Sequence, residues 1–523
     1  MHHATRSFLW LQLSAAGTIL RMVGKIRRLL SLIILFAACG PLLFAQSSKL
    51  IEQSNRARDL MASGKYEEAI PLYRALVRAV PGNAGLITNL GVACHMAGHE
   101  TEAVAELTRA LKLDPHNVAA QLYLGDAYLS MGEAAKAVPH LEVAARADPS
   151  DAGVRGNLAE ALFATSQFRK AAGAFEKSAQ LKPNDPEAWY RLGLCYQELS
   201  QESFDNLQKT SPGSAYWLAL VADSRVKAAQ LSSAFYLYRQ AIAKNPKLRG
   251  VHAALATVYE KTGHADWAKT EQRREAQLGK PDCAVEKYVC AFRAGRYQEL
   301  ANLTGKAPEV YYWKTRAYRK LAIGALAHLG QLPPSVQLHE LLARIRTNER
   351  QFPGSVEEWQ KAYDLSGNNV DVGTQLVMAL FQVQNFTEAR QLLENLLQQR
   401  PKSADLNYLY GFTLLSLKQA REAAHYLQIS LQLNPNSLAA HSSLAQAYLA
   451  MGDSKQAIPH LKAALPIDKD GSIHYQLARA YQSSGQMELA RTMLEQYQKI
   501  HNEQQAEQQT LQKEVQITAP GPG

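Results

Sequence analysis

Two cysteines late in the chain have the type and spacing for redox chemistry. Cys283 and Cys290 flank a stretch that begins near Pro281 and leads into a helical segment at Ala291. A separation of seven residues in regular helix would place their Cα atoms about 10 Å apart, which exceeds the reach of a disulfide. A disulfide therefore requires a non-helical turn near Pro281 and Asp282. We expect that disulfide, and the alternative is two unpaired thiols.

Two histidines have the spacing of metal ligands on a helix. His95 and His99 stand four residues apart, which could direct both imidazoles to one helical face. Gly98 interrupts that helix, and no third ligand is near in the sequence. We expect turn and surface roles for both histidines, with no metal site and no cofactor.

Repeated prolines and alanines indicate which elements must position these residues. A period of 34 residues separates successive prolines, and alanines repeat at the same period ahead of them. The residues are Pro81, Pro115, Pro149 and Pro183, and Ala69, Ala103, Ala137 and Ala171. A period of this length predicts helix-turn-helix hairpins. Because one hairpin cannot bury its apolar face alone, the copies must stack.

The physical roles of these residues agree with a two-helix unit. The key residues of one copy are Leu90, Gly91, Gly98, Ala103, Ala110 and Pro115. Gly91 and Ala103 are small enough to let two helices approach closely, Gly98 can end the first helix in the left-handed conformation, and Pro115 cannot continue the second. This pattern resembles the tetratricopeptide repeat. The resemblance implies an all-α, right-handed superhelical solenoid of antiparallel helix pairs.

The repeats divide the chain unevenly. We expect a signal peptide over residues 1–45, a regular repeat array over 46–185, an irregular unit plus repeats over 186–280, a cysteine-containing short repeat and a second irregular unit over 281–335, a C-terminal array over 336–504, and a polar cap and tail over 505–523. The two irregular stretches, 186–212 and 308–334, match position for position and indicate a duplicated module. We expect residues 518–523 to be frayed.

The front of the chain predicts export. Basic residues at 25–28 precede an apolar run over 29–44 and a small residue, Ala45, as in a signal peptide. The run is shorter than the ~20 residues of a spanning helix. We expect cleavage after Ala45 and a periplasmic protein, whether translation starts at Met1 or Met22. The alternative is lipidation at Cys39, which would give an outer-membrane lipoprotein.

Charge argues against nucleic acid as a partner. The formal net charge is +10, but five of the basic residues lie before residue 46, where there is no Asp or Glu. The remaining +5 is small for a chain of 523 residues, and no basic tract is interleaved with aromatic residues. We expect protein or peptide partners, no nucleic acid, and membrane contact only through a lipid on Cys39.

The resemblance to tetratricopeptide repeats also implies where a partner binds. In such arrays the first helix of each pair lines a concave groove, with its fifth, ninth and twelfth repeat positions facing inward. On this sequence the groove residues are Leu122, Asp126, Leu129, Glu160, Phe163, Tyr190, Tyr408, Phe412 and Leu415. This inner wall is mostly apolar and aromatic, which suits an extended or helical segment of a partner protein.

The sequence therefore predicts a non-catalytic interaction scaffold of the bacterial cell envelope. The irregularity at Ser203–Leu207 and the paired cysteines resemble those of exported tetratricopeptide-repeat proteins of environmental Gram-negative bacteria. Motifs of nucleotide-binding and hydrolytic enzymes are absent from the sequence, and no segment outside the repeats approaches the ~50 residues of a small domain. The alternatives are a lipid-anchored accessory of outer-membrane or polysaccharide export machinery, and an enzyme whose active site lies within the groove.

Overall fold

Helix pairs build the whole described part of the protein. The computed structural model describes residues 49–513 and 516–521, which form two compact units with a boundary between Leu181 and Lys182. The predicted all-α solenoid of antiparallel helix pairs is confirmed. The predicted signal peptide and Cys39 lie outside the described residues.

The helices of the first unit follow one another at regular spacing. They are α1 (residues 49–62), α2 (Tyr66–Ala79), α3 (Ala84–Met96), α4 (Glu100–Leu113), α5 (Val118–Ser130), α6 (Ala134–Ala147), α7 (Ala152–Ala164) and α8 (Phe168–Leu181).

The second unit begins with a helix about twice as long as these. Its helices are α9 (Pro186–Thr210), α10 (Ala215–Lys227), α11 (Leu231–Lys244), α12 (Val251–Lys261), α13 (Ala265–Gln277), α14 (Lys287–Arg293), α15 (Tyr297–Ala301), α16 (Pro308–Leu329), α17 (Val336–Asn348), α18 (Phe352–Leu365), α19 (Val370–Gln382), α20 (Phe386–Gln399), α21 (Ala404–Ser416), α22 (Ala420–Leu433), α23 (Leu438–Ala450), α24 (Ser454–Ala464), α25 (Ser472–Ser483) and α26 (Met487–Lys513). A short 3₁₀ turn, Leu465–Ile467, follows α24.

Local sequence determines where the regular helices start and stop. Asn117 caps α5 by accepting a hydrogen bond from the backbone N–H of Ala120 at 3.0 Å. Gly98 has the left-handed φ of +82° that its place after a first helix predicts. Pro115 stands two residues after α4 ends. These signals explain why the 34-residue period yields separate hairpins.

A glycine on the first helix lets each regular pair close. A β-carbon on Gly91 would lie 2.6 Å from Leu107 Cγ, and one on Gly125 would lie 2.5 Å from Leu141 Cγ. Both leucines belong to the second helix of the same pair and are fully buried. The predicted close approach at Gly91 is therefore confirmed.

The two irregular stretches pair with each other across a long insertion. Gly193 on α9 faces Leu326 on α16, whose Cδ2 would lie 2.5 Å from a β-carbon at Gly193. Further along the same two helices, Ser200 Oγ donates a 3.2 Å hydrogen bond to the carbonyl of Thr315, which is 115 residues away in sequence. Helix α16 thus serves as the second helix of the pair that α9 begins.

Helices α10–α15 form the insertion inside this long pair. Their hydrophobic core runs from Leu207 at the end of α9, through Tyr238 and Tyr259, to Trp313 near the start of α16. The guanidinium of Arg316 lies 4.9 Å from the ring centroid of Phe292, which joins α16 to α14. One continuous core therefore anchors the insertion to both long helices.

Replacing Gly193 with Ala should destabilise the protein. The added methyl must displace Leu326, at a cost of about 1–3 kcal/mol, whereas the gain from removing a helical glycine is only about 0.5–1 kcal/mol. Gly324→Ala is the matched control, because it lies on α16 with no other atom within 4 Å of its β-carbon position. In urea unfolding, the free energy of unfolding of Gly193→Ala should be lower than that of wild type, and that of Gly324→Ala should equal or exceed it. A Gly193→Ala protein as stable as wild type would contradict the close pairing.

Candidate protein-binding site

An open cavity of about 720 Å³ lies in the second unit. Helices α9, α16, α17, α18 and α19 enclose it. Its lining includes Tyr190, Leu194, Gln197, Ile323, Leu326, Arg344, Ile345, Thr347, Trp359, Gln375, Met378 and Gln382. This volume falls within the ~300–1,000 Å³ of typical ligand pockets.

The cavity arises from a missing helix contact. Along both units, second helices generally pack against the first helix of the next pair, as α4 does against α5 and α18 does against α19. Helix α17 contacts α9, as first helices also contact each other in regular repeats such as α3 and α5, but its backbone makes little close contact with α16. The space between α16 and α17 remains unfilled, and the cavity occupies it.

Three large apolar side chains on the cavity wall are exposed. The exposed fractions are 59% for Ile323, 42% for Ile345 and 45% for Met378. They come from α16, α17 and α19, so three separate helices direct apolar surface toward one space. A clustered exposed apolar surface of this kind is typical of interaction sites.

Polar groups are placed at the edge of this apolar wall. The guanidinium of Arg344 lies 5.9 Å from the ring centroid of Tyr190, within cation–π range. Tyr190 is buried, and burial together with the nearby Glu340 carboxylate raises the pKa of its phenol. Burial also raises the pKa of Glu340. The wall therefore offers one exposed cation, Arg344, beside a neutral phenol.

A basic recess adjoins the cavity at Ile323, which lines both. The recess has a volume of about 300 Å³, and its charged lining residues are Asp223, Lys227, Arg316, Arg319 and Lys320. Tyr238 donates a 2.6 Å hydrogen bond to Asp223, the one carboxylate among these lining residues. Burial and the neighbouring Arg319 lower the pKa of Lys227. Four basic groups with one carboxylate make the recess attractive to an acidic group.

Of the predicted groove residues in this unit, Tyr190 lines the cavity, Tyr408 and Phe412 belong to a separate aromatic patch, and Leu415 packs on the core. Tyr190 contributes to the cavity wall. Tyr408 and Phe412 lie with ring centroids 6.3 Å apart, and Phe412 lies 5.4 Å from Phe381. Leu415 and Tyr408 are partly buried against the core of α17–α23. Part of the surface of each of these side chains is therefore in contact with other residues of the fold.

The predicted groove residues of the first unit lie on α5 and α7 and are half-buried. Those on α5 are Leu122, Asp126 and Leu129, and those on α7 are Glu160 and Phe163. Asn157 donates a 2.8 Å hydrogen bond to Asp126, and burial raises the pKa of that carboxyl. The ring of Phe163 lies edge-on to Phe168 at 5.4 Å. Asp126 and Phe163 therefore connect neighbouring helices.

Comparison with known families identifies the repeats. Profiles described as tetratricopeptide repeat match residues 95–159 and 129–192, residues 54–107 and residues 471–503. The chain is a tetratricopeptide-repeat protein. Residues 382–464 match the profile described as anaphase-promoting complex, cyclosome, subunit 3. Tetratricopeptide repeats support a role as a protein-interaction scaffold.

Whole-chain comparisons add solved structures of MamA. A MamA RS-1 ArsTM double mutant is 24% identical and covers 31% of this chain and 86% of its own, with a TM-score of 0.27. MamA from Desulfovibrio magneticus RS-1, from residue 41 to its end, is 25% identical and covers 28% of this chain and 83% of its own, with a TM-score of 0.27. MamA MSR-1 is 19% identical and covers 44% of this chain and 96% of its own, with a TM-score of 0.26. None of the curated proteins matches the chain.

The tetratricopeptide register explains which cavity residues the sequence analysis missed. Met378 precedes Phe412 by one 34-residue period, and Arg344 precedes Met378 by another. Both therefore occupy the ninth groove position of their repeats. In the later copy, Gly411 directly precedes Phe412 and makes the register easy to recognise. The equivalent positions before Arg344 and Met378 hold Ala343 and Val377 instead of glycine. Extending the period backward from Phe412 would have found them.

The short repeat contains a disulfide. Cys283 and Cys290 are bonded, with their Cα atoms 5.7 Å apart. Residues 281–286 do not form a helix, and α14 begins only at Lys287. The non-helical turn that such a bond requires is therefore present.

The two other described cysteines and the histidine pair His95 and His99 contact only groups within the fold. Cys94 and Cys195 are buried thiols outside the disulfide, and burial raises the pKa of Cys94 to about 12. His95 contacts Glu100 at 2.8 Å, and His99 contacts Glu67 at 2.8 Å, so the two imidazoles bind different carboxylates. Among described residues, no group of three His, Cys, Asp or Glu side chains could hold a metal ion. No helix in the described ranges has the length and apolar character needed to cross a membrane.

Alkylation of the unfolded, unreduced protein should label Cys94 and Cys195 and leave Cys283 and Cys290 unlabelled. The thiols of Cys94 and Cys195 become accessible on unfolding, whereas a disulfide has no thiol to react. Peptide mapping by mass spectrometry should recover Cys283 and Cys290 as one linked fragment. Quantitative alkylation of both would contradict the disulfide.

Acid should weaken the attachment of the disulfide loop to α12. Arg249 Nη2 donates a 2.9 Å hydrogen bond to Glu286 Oε2, and this pairing lowers the pKa of Glu286 below its usual 4.5. A lowered folded-state pKa gives stability that is present above pH 4.5 and lost as pH falls through the folded-state value. The stability difference between wild type and Glu286→Gln should therefore shrink as pH falls below 4.5 in chemical unfolding. A difference independent of pH would contradict this role for the pair.

Proposed function

We propose that this protein is a non-catalytic scaffold that binds a segment of a partner protein in the cavity between α9, α16, α17 and α19. The observation that carries the proposal is the convergence of exposed Ile323, Ile345 and Met378 on one open space. Here the surface is left for another chain to cover.

The chemistry of the walls indicates the kind of segment that fits. The apolar cavity suits two or three aliphatic or aromatic side chains on one face of a helical or extended peptide. The basic recess beyond Ile323 suits an acidic side chain next to them, since Lys227 and Lys320 face only one carboxylate, Asp223. Gln375 and Gln382 can hydrogen-bond the backbone of the segment at the cavity edge.

The proposed location is the periplasm, after cleavage following Ala45. A disulfide between Cys283 and Cys290 supports this location, because disulfides persist in oxidising compartments. Mass spectrometry of protein purified from its native membrane and periplasmic fractions would test it. A mature N-terminus at Gln46 is the expected result, and a lipid on Cys39 would replace this proposal with an anchored accessory of export machinery.

Selection from a random dodecapeptide library displayed on phage tests the binding site directly. Peptides selected on the wild-type chain should carry apolar residues at helical spacing beside Asp or Glu. Met378→Asp should weaken the binding of a selected synthetic peptide by at least about tenfold, because it places a charge in the apolar wall. Fluorescence anisotropy measures the affinity.

Met451→Asp is the matched control. Met451 is 40% exposed, close to the 45% of Met378, and does not line the cavity. It should leave peptide affinity within about twofold of wild type, since it adds the same charge elsewhere. An equal loss of peptide affinity in both variants would contradict the proposed site. So would selected peptides whose affinity Met378→Asp leaves unchanged.

A further inference from the structure

A second surface of the protein already holds a peptide. The chain passes from α26 into residues 516–521, here called the returning segment, which lie against α11, α12 and α13 of the insertion. Helix α26 is 27 residues long, about 40 Å at 1.5 Å per residue. It follows α25, which lies long after the insertion in sequence, and it leads the chain back to the insertion.

The returning segment is recognised through one apolar side chain and its backbone. Ile517 packs against the hydrophobic core of the insertion. The hydroxyl of Tyr259 donates a 2.8 Å hydrogen bond to the carbonyl of Thr518, and Arg239 Nη1 donates one of 3.2 Å to Thr518 Oγ1. Arg274 Nη2 donates to the carbonyl of Gly521. Contacts thus extend along the segment from Ile517 to Gly521.

Contacts within the insertion hold these binding groups in place. Tyr259 packs edge-on to Trp267 at 5.6 Å, and Arg239 lies 5.8 Å from the ring centroid of Phe235. Arg274 pairs at 2.8 Å with Glu271, a carboxylate that is itself buried. A surface whose groups are positioned by its own helices is preorganised, which lowers the cost of binding an incoming chain.

The composition of the segment fits reversible docking. Residues 516–521 read Gln-Ile-Thr-Ala-Pro-Gly and have no regular secondary structure. Thr518 and Gly521 are exposed apart from these contacts, and Ile517 is half-buried. A single aliphatic anchor with a few hydrogen bonds gives modest affinity. Attachment to the same chain compensates for this modest affinity, because a short tether gives the segment an effective concentration in the millimolar range.

We propose that the surface of α11, α12 and α13 is a peptide-binding site for extended Ile-Thr-Ala-Pro-type segments and that the protein's own returning segment occupies it reversibly. The site recognises a β-branched residue in an apolar depression, a following hydroxyl, and backbone carbonyls on either side of a proline. It is separate from the cavity lined by Met378, and it stands independently of the proposed function. A segment of the same chemistry from outside must displace residues 516–521 before it can bind.

Ile517→Asp in the full chain tests the proposal. The substitution should release the returning segment, because an aspartate cannot replace the apolar anchor. The probe is a fluorescein-labelled synthetic peptide of residues 514–523, and anisotropy reports its binding. It should bind the Ile517→Asp chain at least about tenfold more tightly than wild type, where the tethered segment competes at millimolar effective concentration.

Two controls make the result specific. Tyr259→Phe in the Ile517→Asp chain keeps the buried ring and removes the hydroxyl that meets Thr518, so it should weaken the probe by several-fold. A probe that itself carries Asp at position 517 should not bind. Matching far-ultraviolet circular dichroism and melting curves confirm that each variant is folded, and Ile517→Ser repeats the release with a neutral side chain.

Three outcomes would overturn the proposal. The probe could bind wild type and Ile517→Asp equally, or bind neither. Alternatively, sedimentation could show a concentration-dependent dimer of wild type that Ile517→Asp abolishes. In that case the occupant would be the segment of a second copy.

Discussion

The close approach of α9 and α16 at Gly193 and Leu326 is the constraint on which the second unit depends. The two helices belong to one repeat but are separated by the whole of α10–α15. Only a residue without a β-carbon lets the leucine enter the same packing position that Leu107 and Leu141 fill in regular repeats. The pair therefore closes as a normal repeat does, and the insertion is accommodated without breaking the array. Ser200 and Thr315 extend the same contact toward the insertion.

This closure also bears on the two proposed binding surfaces. Helix α17 contacts α9 but makes little close backbone contact with α16, and the cavity with its exposed Ile323 and Met378 lies at this junction. The same closure holds α10–α15 as a compact body whose helices α11–α13 bind the returning segment. A uniform array of hairpins would contain neither surface. Both surfaces proposed to bind peptides therefore lie where the chain departs from the 34-residue period.

Local features of the fold could be predicted from the sequence, and its long-range pairings could not. The period of Pro81, Pro115 and Pro149 predicts the hairpins, and the conformations of Gly98 and Gly132 follow from their places after first helices. Tyr190 lies in the cavity because the groove register carries over from regular repeats. The pairing of α9 with α16 joins segments more than a hundred residues apart, and no local pattern encodes it.

Two further features could not be predicted from the sequence, for physical reasons. The cavity depends on a contact that fails to form between α16 and α17, and an absent contact leaves no mark in the residues themselves. The expected fraying from Thr518 onward is wrong for residues up to Gly521, because hydrogen bonds from Tyr259 and Arg239 hold the segment. Its polar and small residues resemble those of a free end, and only Ile517 hints at an anchor.

Site-specific photo-crosslinking in cells would show whether another protein covers the cavity between α16 and α17. A photoreactive amino acid would replace Met378 in one strain and Met451 in another, and adducts would be mapped by mass spectrometry. We expect a discrete adduct with a partner segment from position 378 and none from position 451. Adducts from position 451 alone, or equal diffuse labelling from both positions, would contradict the proposed site.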